Sequence, residues 1–326
     1  MKKKLLITVF ALTLAVGAYA QQYNSESDFQ IDWDKDSSGG VVITKYTGTR
    51  AEVSIPPRIQ NNPVTAISAG AFAGNGNITR VIIPNGVVRI NDGYNNQYSG
   101  QIISYDQGRG AFSNCGSLTS VTIPNSVTYI GNDAFSFCAS LTSITIPNGV
   151  TYIGGSTFLF CFSLTSVTIP NSVTIIWEGA FQYCKSLTSI TIPNSVTAIG
   201  YGAFENCESL TSVTIPSSVT SIESRAFQYC TSLTSVTIPN SVTDIGVNAF
   251  ALTGLTSVTI PASVTSIKGS AFRGNSLTSV TFEGTIRSAN FAENTFDGDL
   301  RAKYLASGGG PGTYRRFAGG QDWRKQ

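Results

Sequence analysis

The chain has 326 residues and not one histidine. That absence removes the usual general base, the Ser-His and Cys-His nucleophile systems and every imidazole metal ligand. Charge is scarce, at 12% Asp, Glu, Lys and Arg, so the carboxylates available for acid–base work are few. Within the repeats described below they are scattered, at Glu178, Glu205, Glu208, Glu223 and Asp244, with no recurring facing pair. Solvated surface is the expected fate of all five. No Cys-x-x-Cys spacing and no G-x-x-x-x-G-K-[ST] phosphate loop is present. Enzymatic chemistry therefore has little to work with, and neither cofactor nor metal is expected.

The first twenty residues stand apart. Lys2, Lys3 and Lys4 precede an apolar run from Leu5 to Val16, and Ala18-Tyr19-Ala20 follows as a small-x-small site. This is the pattern of a secretory signal peptide, 1–20, and predicts a secreted, cell-surface or periplasmic destination. Removing it leaves 18 basic against 19 acidic residues, a net charge of −1 in place of +2. A near-neutral chain offers no electrostatic footprint for nucleic acid. No later stretch approaches the length needed for membrane insertion.

What the chain has in abundance is itself. LTSVTIPNSVTYIGNDAFSFCAS begins at Leu118, and the frame restarts 23 residues on at Leu141, Leu164, Leu187, Leu210 and Leu233. Spacings of 22 follow, at Leu255 and Leu277, and two degenerate copies precede at Arg50 and Ile78. A fixed period in this range marks a solenoid, in which each unit buries its apolar face only against its neighbours. The division expected is an N-terminal β cap over 21–49, a repeat body over 50–285 and a C-terminal cap or tail over 286–326.

Within one repeat, Val121 and Ile123 alternate with Ser120 and Thr122, a short strand with one apolar face. Pro124 ends it, because proline cannot donate to a ladder, and nine of the twelve prolines occupy this place. Asn125-Ser126 reads as a turn and Val127 with Ile130 as a second short strand. Ala134, Phe135 and Cys138 then read as one helical turn with its small and aromatic side chains inward. About six large apolar residues cannot order 23 alone against roughly 1–2 kcal/mol per residue of lost entropy, so stacking must supply the rest. Parallel strands about 4.8 Å apart give a body on the order of 45 Å long.

The pattern I-G-x-x-A-F-x-x-C-x-S-L-T-S-V-T-I-P resembles the repeat of the BspA-like surface antigens, a bacterial branch of the leucine-rich repeat proteins. The general leucine-rich repeat would put Asn and an apolar residue where Ser126 and Thr128 stand. Here Asn125 and Val127 come one position early, as that branch prefers. The resemblance implies a right-handed β/α superhelix of 22–23-residue coils with a parallel sheet on its concave side. It also implies exported, non-catalytic, adhesive roles towards host matrix, cells or other microbes.

All six cysteines fall at one repeat position, 115, 138, 161, 184, 207 and 230. An even count in an exported chain suggests disulfides. Stacked copies lie about 5 Å apart but point the same way, which suits a ladder of buried thiols better than closure. Asp32, Asp34 and Asp36 resemble the opening of a calcium loop. Ser37 and Ile43 stand where such a loop needs Gly and Glu, so a polar turn between strands is the expectation.

Partner binding is expected from what differs between coils. Ser120 and Thr122 recur almost unchanged and carry little information. Tyr129, Tyr152, Trp177 and Tyr201 vary, and Tyr and Trp are common interface anchors. Phe137, Phe160, Tyr183 and Tyr229, each preceding a cysteine, are expected to shoulder the core. An insertion over 91–110 adds Tyr94, Tyr98 and Tyr105, on a segment of the kind that becomes a loop on one face. The ligand expected is an extracellular protein or glycan. The rival is a structural role in which coils or ends self-associate.

Overall fold

The computed structural model describes residues 22–36, 39–91, 110–317 and 320–326. The expected signal peptide, 1–20, and most of the insertion, with Tyr94, Tyr98 and Tyr105, lie outside the described residues. The repeats stack as a parallel β-solenoid of about ten turns. Each coil has three sides. The first is a three-residue strand such as Ser143–Thr145, in register with Ser166–Thr168, so Ile144 lies beside Val167. The second is a two-residue strand, Tyr152–Ile153, aligned with Ile175–Ile176 and then Ala198–Ile199. Alternation puts Ile144 inward and Ser143 and Thr145 outward, as the period of two demands.

The third side corrects the expectation of a β/α repeat. No coil among the described residues contains an α-helix; Leu300–Leu305, in the C-terminal cap, is the α-helix among them. Between Gly131 and Cys138 the chain instead makes consecutive tight turns. The N–H groups of Ala134, Ser136 and Cys138 donate three residues back, to Gly131, Asp133 and Phe135. Those of Asp133, Phe135 and Phe137 leave the coil and donate to Gly155, Thr157 and Leu159 of the next. Asp133 and Phe137 adopt left-handed backbone, at φ of 56° and 59°, and re-aim alternate amides along the solenoid axis. A helix would spend its amides within itself, whereas a stacked coil must satisfy them against its neighbour. Ala134, Phe135 and Cys138 are buried all the same.

Two columns run through the core. The rings of Phe112, Phe135, Phe158, Phe181, Phe204, Phe227, Phe250 and Phe272 stack coil on coil, with centroids 5.3 Å apart at Phe158–Phe181 and Phe181–Phe204. Beside them stand the six cysteines, all buried free thiols. Each donates to the carbonyl of a phenylalanine in the preceding coil, as Cys161 does to Phe135 at 3.2 Å. In the later coils Asn275 takes over, its Nδ2 reaching the Phe250 carbonyl at 2.8 Å.

The ends are closed differently. Phe29–Trp33 pairs antiparallel with Val41–Tyr46, which runs parallel to Asn62–Ile67. The turn joining that hairpin is tied to the body by Asp34, whose buried carboxylate accepts from Thr65 Oγ1 and from the Arg89 guanidinium, each at 2.5 Å. Asp32 instead accepts from the Trp33 N–H. At the other end Gly312–Arg315 pairs antiparallel with Ser279–Phe282. Trp323 is buried there, donating Nε1–H to the Asp297 carbonyl at 3.0 Å beneath the Arg316 guanidinium.

Candidate binding groove

The turn side of the middle coils carries a second set of aromatic rings outside the core. Phe137, Phe160 and Tyr183 occupy one position in three successive coils. Their rings pack in a row, 4.7 Å between the first two and 4.6 Å between the last two. All three have left-handed backbone, with φ of 59°, 59° and 61°. Bulky L-residues rarely adopt this conformation. Other coils have Gly74, Asn114, Asn206 and Gly274, which suit it, and Leu252, which like the aromatics does not. The backbone itself therefore has no need of an aromatic there. Phe137, Phe160 and Tyr183 are half-buried, and Tyr229 in a later coil is 40% exposed. Left-handed φ turns the side chain away from the column of core rings, and Tyr229 departs from the expectation of shouldering the core.

Beside the rings lies a polar floor. Gln182 and Glu205, one coil apart, are joined by a 2.7 Å hydrogen bond from Gln182 Nε2 to Glu205 Oε2. Glu205 is 6% exposed, so the expectation of a solvated carboxylate is also wrong. Burial pushes its carboxyl pKa up, opposed by the nearby Arg225 charge and the Gln182 hydrogen bond. Arg225 Nη1 lies 4.0 Å from Glu205 Oε1, an ion pair just beyond hydrogen-bond reach. The same guanidinium sits over the Tyr201 ring, 5.5 Å from its centroid. Gly179 and Gly202, at the coil position of Arg225, leave the floor uncovered. A Cβ on Gly202 would approach Glu205 Oε2 to 3.1 Å. Together Phe137, Phe160, Tyr183, Gln182, Glu205 and Arg225 line an open depression of about 500 Å³.

The residues expected to bind divide around this groove. Tyr201, 46% exposed, joins its margin through Arg225. Trp177 is equally exposed but is not among the lining residues. It follows Ile176 directly, in step with Gly154 and Gly200. Tyr129 and Tyr152 are half-buried on the second-strand side and meet edge to face at 6.0 Å. What sequence reasoning missed was the Gln182–Glu205–Arg225 set. The available signal was Asn before Cys115 and Cys207 and Gly before Asn75 and Asn275 at the equivalent place, which marks a left-handed position and hence an outward side chain in the other coils.

The comparisons agree with this architecture. The family profile described as "BspA type Leucine rich repeat region (6 copies)" matches residues 53–102, 65–188, 106–234 and 174–300. A leucine-rich repeat protein from Bacteroides ovatus is similar at 29% identity and a TM-score of 0.70, over 83% of this chain and 67% of that one. A leucine rich cell surface protein from Faecalibacterium prausnitzii is 26% identical over 77% of this chain and 86% of its own, with a TM-score of 0.45. No functionally curated protein matches the chain. The repeat sequence, the stacked parallel strands and the extent of the family match, taken together, make this chain a member of the BspA-type leucine-rich repeat family.

Proposed function

We propose that the protein is an exported, non-catalytic binding protein that attaches to an extracellular protein or glycan through the turn side of its solenoid. One observation carries the reading. Aromatic side chains occupy left-handed, outward positions in the middle coils, where Gly or Asn serves in four other coils and Leu252 in one. Identical coils supply rigidity; recognition has to come from what differs, and the differences gather around Phe160, Tyr183, Glu205, Arg225 and Tyr201. Family membership supports a binding scaffold, and no helix among the described residues is long and apolar enough to cross a membrane.

The test is attachment of the mature protein to matrix proteins, glycans and cells. A Tyr183→Gly, Tyr201→Ala double variant and a deletion of 92–109 should both keep a native-like melting transition. Loss of an interface anchor weakens attachment by ~2 kcal/mol or more. Attachment equal to the parent in both variants would move recognition to the hydroxyl-lined strands. Growing oligomers in light scattering, without ligand attachment, would favour the self-associating scaffold instead.

A further inference from the structure

The groove's chemistry narrows the class of ligand, on the premise that the protein is a binding protein. The charged groups in its lining cancel, since Glu205 is matched by Arg225, and Arg225 is further held over Tyr201. A strongly cationic or anionic ligand would have to break that pair. The hydrogen-bonding capacity is nevertheless incomplete. Glu205 Oε2 is taken by Gln182, but the guanidinium is too far from Oε1 to donate well. That carboxylate oxygen calls for a neutral donor.

An extended peptide fits less well. Strand addition needs unspent main-chain groups, and on this side they are spent. The Phe137, Phe160 and Tyr183 amides donate to Leu159, Gln182 and Glu205 of the next coil. What remains is a row of aromatic rings beside amide, carboxylate and guanidinium groups. That pairing of apolar surface with mixed donors and acceptors matches a pyranose, whose C–H faces are apolar and whose rim is hydroxyl. The groove crosses from the coil of Phe137 to that of Arg225, about four coil spacings or ~19 Å. This is the span of a short chain of sugars and not of one.

We propose that the groove is a carbohydrate-binding site for a neutral oligosaccharide. The glycan lies along the solenoid axis, with C–H faces against Phe160 and Tyr183 and hydroxyls on Gln182, Glu205 and Arg225. The test is calorimetric titration of the mature protein with neutral gluco-, galacto-, manno- and N-acetylhexosamine oligosaccharides, from trisaccharides to hexasaccharides, beside sulfated and uronic-acid counterparts. At least one neutral series should bind with Kd below ~1 mM. Tyr183→Gly and Glu205→Ala should each weaken that binding by about tenfold or more. Tyr183→Gly suits the purpose because glycine is at ease at this backbone position, so its melting transition should survive. Absence of neutral-saccharide binding, preference for the acidic counterparts, or equal binding by parent and both variants would each overturn the proposal. Attachment of the parent to a matrix protein without saccharide binding would remove the groove's role and leave the broader binding reading standing. Attachment to nothing would remove both.

Discussion

The thiol of Cys184 donates to the carbonyl oxygen of Phe158 at 3.2 Å, across the boundary between two coils. The same bond recurs at Cys207 with Phe181 and at Cys230 with Phe204, so each cysteine fastens its coil to the preceding one. A thiol used as a donor must stay protonated, and burial enforces this.

Burial pushes the Cys115 and Cys161 thiols up from an ordinary 9.0 to about 12. Native protein should therefore resist alkylation at mildly alkaline pH, while denatured protein titrates close to six free thiols. Three disulfides found under non-reducing denaturation would refute the ladder. In the folded chain these groups keep protons that the unfolded chain releases. Their stabilisation is complete below about pH 9 and is lost as pH climbs from there towards 12. Each thiol contributes up to about 1.4 kcal/mol per pH unit across that window. Melting temperature measured against pH should fall steeply above 9.

Phe181 is fully buried between Phe158 and Phe204. Phe181→Ala should cost ~3–5 kcal/mol in chemical unfolding, the range for large core truncations. Ser189, outward on the first-strand sheet, should tolerate Ala within about half a kcal/mol. Equal effects would mean that inside and outside have been exchanged.

Tyr229 holds a left-handed backbone at φ 61°. Tyr229→Gly should leave stability unchanged or raise it by up to ~1 kcal/mol, because the left-handed penalty disappears while glycine loses more chain entropy. Tyr229→Val should lower it, since a β-branched side chain is least compatible with this conformation. Thermal melts of the two variants should move apart in that order.

Asp34 is almost fully shielded where it meets Arg89, whereas the Asp36 side chain beside the same guanidinium is 77% exposed. Asp34→Ala strips a buried charge pair of one member and should cost about 3 kcal/mol. Asp36→Ala should stay within about half a kcal/mol. Hydrogen exchange of the 41–46 strand should rise in the first variant and not in the second.

Much of this was legible in the sequence because copying fixes environments. Val121, Ile144 and Val167 recur at one strand position, and a proline stops the strand at the same place in nine of the ten copies. The cysteine column followed from period alone. The turn side was misread because A-F-x-x-C has a spacing that a helix would also bury. Inward residues satisfy either backbone, so only the sign of φ at Asp133 and Phe137 separates the two. The groove escaped for a related reason. Gln182, Glu205 and Arg225 come from three different coils, at positions that vary from copy to copy, as Ser136, Leu159 and Ala251 do for the first two and Ser156, Gly202 and Asn248 for the third. No local motif unites them, and only the stack brings them together.

The in-step pairing of coils has a consequence for how such a chain changes over generations. An unequal crossover between adjacent copies from Leu118 to Leu233, kept in frame, inserts or removes 23 residues and places the next coil on a neighbour of the same shape. Phenylalanine still meets phenylalanine and thiol still meets carbonyl, so length can change by about 4.8 Å at a time without a new interior. The rows on the turn side shift with every such event. Two lineages could thus keep one body and present different faces, with the interior held constant by the same duplications that reshuffle the exterior.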